Sequence, residues 1–307
     1  MHEATSLEAA RRRLIVALDV PDAATALAAA HRLAGHVGML KVGLELFVAE
    51  GPEVVRQLRR ALPQLEIFLD LKLHDIPNTM VGAIRSARAL GARFITVHAG
   101  SGVAHLRACV DAAGPELGVL AVTVLTSQDA TACAEAGHTR SPAEIAALRA
   151  AAAHAAGCAG LVCSGQELAR VREAAPGLAF VVPGIRPEGS EPGDQKRILT
   201  PKEALNRGAD YLVIGRPITD APDRAAAAKA IAATLVALES LRRCFAATTP
   251  ILLYGCNTVS CVTASLLHTK LCHVVQTAWE MRLAIREAVD NPGAPAASCR
   301  PTEESVP

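Results

Sequence analysis

Short apolar runs alternate with longer stretches of helical period along the chain, and the pair recurs eight times. Leu14–Val20 reads as a buried strand ending at Asp19, and Pro21-Asp22 opens an Ala-rich helix that stops at Gly35. Met39–Leu46 is the second strand, residues 52–62 a helix, and Ile67–Leu73 the third strand. A helix over 79–90 leads to strand Phe94–Ala99, and a helix over 102–113 leads to strand Gly118–Leu125. Ser141-Pro142 with Glu144 carries the signature of a helix start, and that helix runs to Ala156. Strand Gly160–Ser164, a helix over 166–174, strand Ala179–Pro183 and a helix over 201–207 follow. Strand Asp210–Gly215 and a helix over 222–241 end the series.

Strict strand–helix alternation implies parallel strands joined by right-handed crossovers. Eight such units predict an α/β fold of the (β/α)8 TIM-barrel type over residues 13–240, an ordinary length for one. A doubly wound open sheet is the alternative, but no Gly-x-Gly-x-x-Gly turn follows the first strand. Residues 1–12 read as a polar N-terminal leader and 241–307 as a C-terminal extension. Within the extension, 276–290 has the pattern of an amphipathic helix and 291–307 that of a disordered tail. An interaction appendage and an unselected extension, including one from a shifted reading frame, both fit it.

Composition narrows the function. A net charge of +1 over 307 residues gives no basic field for nucleic acid, so any anion site is local. The charged start lacks the apolar centre of a signal peptide, and residues 1–240 hold no uncharged run of membrane-spanning length. Residues 244–267 are uncharged, but Pro250, Gly255, Asn257 and many Thr and Ser residues make a membrane span a poor reading. Nine cysteines, with Cys109, Cys133, Cys158 and Cys163 scattered singly, point to reduced buried thiols in a cytoplasmic protein. Without Cys-x-x-Cys or His-x-x-x-His spacing, a zinc site has little support.

The third strand breaks the apolar rule. Asp70 and Lys72 stand two apart, and residues i and i+2 of a strand share a face. Asp75 follows where Asp-Ile-Pro-Asn turns into a helix. Burying Asp beside Lys is costly unless they pair or do chemistry, and a structural ion pair closing one barrel layer is the plain alternative. Polar residues recur at or just beyond the other seven strand ends as well: Asp19, Lys41, His98, Thr126, Ser164, Arg186 and Arg216. A single Ser or Thr there is ordinarily a helix N-cap. Together, the set fits a barrel whose chemistry sits at the C-terminal ends of its strands.

The last two units carry a phosphate pattern. Loops after strands seven and eight commonly bind phosphate, and Pro183-Gly-Ile-Arg186 and Ile214-Gly-Arg-Pro217 suit that use. Gly215 permits close backbone approach, Arg216 offers a bidentate fork, and Gln195 reaches in from a long Gly-rich loop over 184–195. An Arg pairing with an acidic neighbour is the other reading of Arg216.

Asp70-x-Lys72-x-x-Asp75-Ile-Pro-Asn-Thr79 resembles the signature of the orotidine 5′-phosphate decarboxylase family, bacterial branch. Ala17-Leu-Asp19, Lys41-Val-Gly43, the Pro183–Gln195 segment and Val213-Ile-Gly-Arg-Pro217 resemble it too. The resemblance implies loss of CO2 from C6 of orotidine 5′-phosphate, giving UMP without metal or organic cofactor. It implies that Lys72 stabilises the C6 carbanion-like charge and protonates it. It places Asp70 beside the departing carboxylate and Lys41 in an alternating Lys–Asp–Lys–Asp array. Asp75 would cross into the partner's site, making a homodimer. Asp19 and Thr79 would take ribose hydroxyls, with Thr126 near ribose or base, and Gln195, Gly215, Arg216 and Arg186 the phosphate. A related barrel family with a similar strand decarboxylates a sugar-acid phosphate using magnesium. Here Lys41 and the Gln195 loop favour the nucleotide. A scaffold protein would show damaged charges, and none is missing.

Overall fold

A computed structural model describes residues 2–188 and 198–237. All of them fall within one unit, Met1–Leu241. Eight strands close into a barrel in sequence order: β1 Leu14–Ala17, β2 Met39–Gly43, β3 Glu66–Leu73, β4 Phe94–His98, β5 Gly118–Val122, β6 Gly160–Val162, β7 Ala179–Val182 and β8 Tyr211–Ile214. Every neighbouring pair is parallel, including the closing pair β1–β8. The expected (β/α)8 architecture is therefore the observed one.

Side-chain alternation sorts each strand into two cores. Ile15, Met39, Phe68, Phe94, Leu120, Val181 and Val213 point inward and fill the barrel. Their neighbours, among them Leu14, Leu40, Ile67, Ile95, Leu161 and Leu212, face the surrounding helices. Phe68 and Phe94 meet edge to face at 6.3 Å inside the barrel. Each is about 1.5–3 kcal/mol of apolar burial placed directly beneath the polar end of its strand.

The helices follow local rules. Asp22 caps the helix Ala23–Leu33 by accepting from the Thr25 N–H at 2.7 Å. Ser141 and Glu144 form a reciprocal capping box at the start of Pro142–Ala156, and Gly157 ends that helix at a left-handed φ of +77°. Thr200 and Glu203 repeat the box at Pro201–Asn206. The last described helix covers 224–237.

Several boundaries differ from the sequence expectation. The leader is helical over His2–Arg12, and Ala10 is fully buried. β2 ends at Gly43, not Leu46, because Leu44–Glu50 turns into a helix within the same apolar run. β1, β5 and β6 stop at Ala17, Val122 and Val162, so Asp19, Thr126 and Ser164 lie in the loops beyond them. A short helix Ala130–Glu135, capped by Asp129, was not anticipated. The amphipathic helix expected over 276–290 and the disordered tail expected over 291–307 lie outside the described residues.

Candidate active site

At the C-terminal ends of the strands the barrel opens into a cavity of about 580 Å³. One wall is an alternating chain of charges. The Lys41 ammonium donates to Asp19 Oδ1 at 2.9 Å and stands 3.7 Å from Asp70 Oδ2. The Lys72 ammonium donates to the same Asp70 oxygen at 2.7 Å. Lys41 and Asp70 are buried, at 7% and 9% exposure, whereas the Lys72 side chain retains 31%. A buried Lys41 without a partner would be costly; interleaving the two ammonium groups with carboxylates pairs each of them and fixes where it points.

Inward parity explains the array. Met39 and Lys41 share one phase of β2, as Phe68 and Asp70 share one phase of β3. Gly43 is next in the Lys41 phase. A Cβ there would meet Lys41 Nζ at 2.8 Å and Asp19 Oδ1 at 3.0 Å, so its absence is the space in which this ion pair sits.

β3 is irregular where it matters. Leu69 pairs with Ile95, but Leu73 pairs with Val97, so three residues of β3 stand opposite Thr96 alone. This bulge bends the strand and puts Lys72 at φ +47°, the one positive φ of a non-glycine among the described residues. That conformation costs about 1–2 kcal/mol for an L-residue. It is retained at the residue whose side chain reaches the cavity, as is common for functional sites.

The cavity lining beyond β7 and β8 is cationic. Arg186 and Arg216 both line the cavity, with Gly184 and Gly215 beside them. Burial, and then the like charge of Arg216, pushes the Arg186 guanidinium below its ordinary value. A Cβ on Gly215 would touch only Ala17 Cβ, at an ordinary 3.6 Å, so packing does not require glycine there. The neck of the following loop is tied by Arg186 N–H to Leu199 carbonyl at 2.8 Å and Leu199 N–H to Gly184 carbonyl at 3.2 Å.

The arrangement has counterparts among known proteins. The model of the "Orotidine 5'-phosphate decarboxylase / HUMPS family" matches residues 12–231. The chain belongs to this family. It is 55% identical over 225 residues to an orotidine 5'-phosphate decarboxylase of Anaeromyxobacter dehalogenans, covering 73% of this chain and 98% of that one. It is 53% identical over 224 residues to the enzyme of that name from Thermobifida fusca, covering 72% and 95%. Among solved structures, an orotidine 5'-phosphate decarboxylase from Lactobacillus acidophilus superposes with a TM-score of 0.63 at 35% identity, covering 72% and 97%.

Of the residues expected in a decarboxylase-family site, the structure gathers Asp19, Lys41, Asp70, Lys72, Thr126, Arg186, Gly215 and Arg216 around one cavity. Asp75 and Thr79 do not line it. The chain leaves β3 after Leu73, and both residues are exposed, with Asp75 accepting from the Ile76 N–H at 2.6 Å. Gln195 lies outside the described residues. Ser164 is fully buried and accepts from the Gln166 N–H at 3.3 Å, the plain local role. His98 packs against His74 with ring centroids 5.6 Å apart instead of lining the cavity. Thr96 escaped the sequence reading. Its signal was a lone hydroxyl in the inward phase Phe94–Thr96–His98.

Proposed function

We propose that this chain decarboxylates orotidine 5′-phosphate to UMP and CO2, the last step in making UMP de novo. The observation that carries the reading is the Asp19–Lys41–Asp70–Lys72 chain, which ends on a partly exposed ammonium within a cavity also lined by two arginines. Loss of CO2 from C6 leaves an electron pair that the pyrimidine ring does not delocalise. A fixed cation beside C6 lowers that barrier most directly, and Lys72 supplies it without reorganising. The same ammonium then donates a proton to C6, and UMP results.

Asp70 holds Lys72 and lies beside the departing carboxylate in this reading, so like-charge repulsion is relieved as CO2 leaves. Asp19 and Thr126 take the ribose side. Arg186, Arg216 and the Gly215 backbone take the phosphate; a dianion between the arginines relieves the crowding that burial and like charge impose on Arg186. We assign Gln195 to the phosphate as well. Grip on that remote phosphate contributes to stabilising the transition state at the base.

Asp75 and Thr79 enter the site of a second copy, so the active species is a homodimer. Their exposure outside their own cavity supports this, as does Ile76 between them, an apolar side chain left 67% exposed. We further place the enzyme in the cytoplasm. Among the described residues, no helix is long and apolar enough to cross a membrane. Residues 13–240 form the catalytic domain.

The test is the fall in ultraviolet absorbance of orotidine 5′-phosphate on the full chain, with and without EDTA, beside Lys72→Ala. Turnover unaffected by EDTA and abolished in Lys72→Ala, with UMP still bound, is the expected result. Substantial activity in Lys72→Ala removes Lys72 from its role. A magnesium-dependent activity confined to a sugar-acid phosphate would overturn the substrate.

A further inference from the structure

Thr96 is fully buried, and its hydroxyl touches the two central groups of the site at once. It accepts from the Lys72 backbone N–H at 2.8 Å and donates to Asp70 Oδ1 at 3.0 Å. The directions are forced, since an amide N–H only donates and an ionised carboxylate only accepts. Asp70 is thereby held at both oxygens, Oδ1 by the hydroxyl and Oδ2 by the Lys72 ammonium at 2.7 Å.

Its place in the ladder makes this more than a spare hydrogen bond. Thr96 is the single β4 residue opposite the three-residue bulge, where the regular pairing of β3 with β4 lapses. Its side chain bonds the backbone of the one non-glycine residue held at positive φ among those described.

We infer that Thr96 is a positioning residue for the decarboxylation, locking the Lys72 backbone and the Asp70 carboxylate in one geometry. The inference rests on the decarboxylase reading above. Thr96 never meets substrate; it acts through Asp70 and Lys72, and its loss falls on the step those residues serve.

Thr96→Val keeps the volume and β-branching and removes only the hydroxyl, while Thr96→Ser keeps the hydroxyl. The expected result for Thr96→Val is a fall in kcat of at least about tenfold, with KM and UMP affinity within about threefold of the wild type. Thr96→Ser should recover kcat to within about threefold, because the charge-assisted bond to Asp70 returns. If Thr96→Val is not recovered folded, Thr96→Ala is held to the same thresholds. A Thr96→Val enzyme with unchanged kcat overturns the inference, as does a Thr96→Ser enzyme impaired as badly as Thr96→Val. An inert wild type overturns the decarboxylase reading and this one with it, whereas an active wild type beside an unaffected Thr96→Val overturns this one alone.

Discussion

Replacing Gly43 by Ala tests the charge array without touching any charge. The backbone at Gly43, φ −91° and ψ −177°, is extended and open to any residue, so the substitution carries no conformational strain. What it adds is a methyl at 2.8 Å from Lys41 Nζ and 3.0 Å from Asp19 Oδ1, where ordinary contact begins at 3.4 Å. The ammonium must retreat by about 0.6 Å or the carboxylate must swing away. Either movement strains the 2.9 Å Lys41–Asp19 bond, and a buried Lys41 has little room except toward Asp70. Both displaced atoms are tips of flexible side chains, so the fold should lose little, and the melting temperature should stay within a few degrees of wild type. A charged hydrogen bond contributes about 1.5–3 kcal/mol, which corresponds to a fall in kcat/KM of roughly 10- to 100-fold. Steady-state decarboxylation beside a thermal melt measures both. If Gly43→Ala keeps kcat/KM within about twofold, the Lys41–Asp19 geometry has no bearing on turnover, and the array is mere neutralisation.

His98 gives a pH prediction. Burial, followed by His74, Arg149 and Lys72, lowers its pKa below the ordinary 6.5, with Asp70 opposing. Between the folded value and 6.5 the unfolded chain binds the extra proton, so stability should decline as pH falls below about 6.5. Melting curves across that range should show a shallower decline for His98→Gln, and an identical slope would refute the assignment. Burial pushes the Cys109 thiol up to about 11 and Cys158 to about 12, so mapped alkylation at mildly alkaline pH should spare both until denaturant is added. Labelling of either in the native chain contradicts their burial. Arg216→Ala should raise KM for orotidine 5′-phosphate by about 10- to 100-fold yet leave the slow turnover of phosphate-free orotidine unchanged. Equal losses on both substrates would take Arg216 off the phosphate.

The barrel was legible because eight apolar runs of strand length were each followed by helix-forming sequence, and length alone limited the ways to close them. Strand ends were less legible. Met-Leu-Lys-Val-Gly-Leu-Glu-Leu is one apolar run, and nothing in its pattern marks the switch at Gly43 from strand to the helix Leu44–Glu50. The shared face of Asp70 and Lys72 survived the unseen bulge for a specific reason. The bulge inserts two residues against β4, an even number, so the pleat keeps its phase and Leu73 still pairs with Val97. Thr96 left no comparable trace, since one hydroxyl in Phe-Ile-Thr-Val-His fits any half-buried strand. Its partners are 24 and 26 residues away, visible only once β3 and β4 lie side by side.

That bulge also limits how the signature could travel. Asp70 keeps regular register with Gly43 of β2 on one side, while on the other the strand has slipped by two residues and is moored through a side chain. The string Asp-x-Lys-x-x-Asp is consequently not a portable cassette. Grafted onto a regular barrel strand, it would arrive two residues out of step with its right-hand neighbour and without a hydroxyl to moor it. A designer would have to transplant three strands together: the lysine and glycine of one, the bulged segment of the next, and the threonine of the third. Divergent relatives that keep this chemistry are constrained in the same way, and a change at position 43 or 96 should be tolerated only beside a compensating change in the strand it touches.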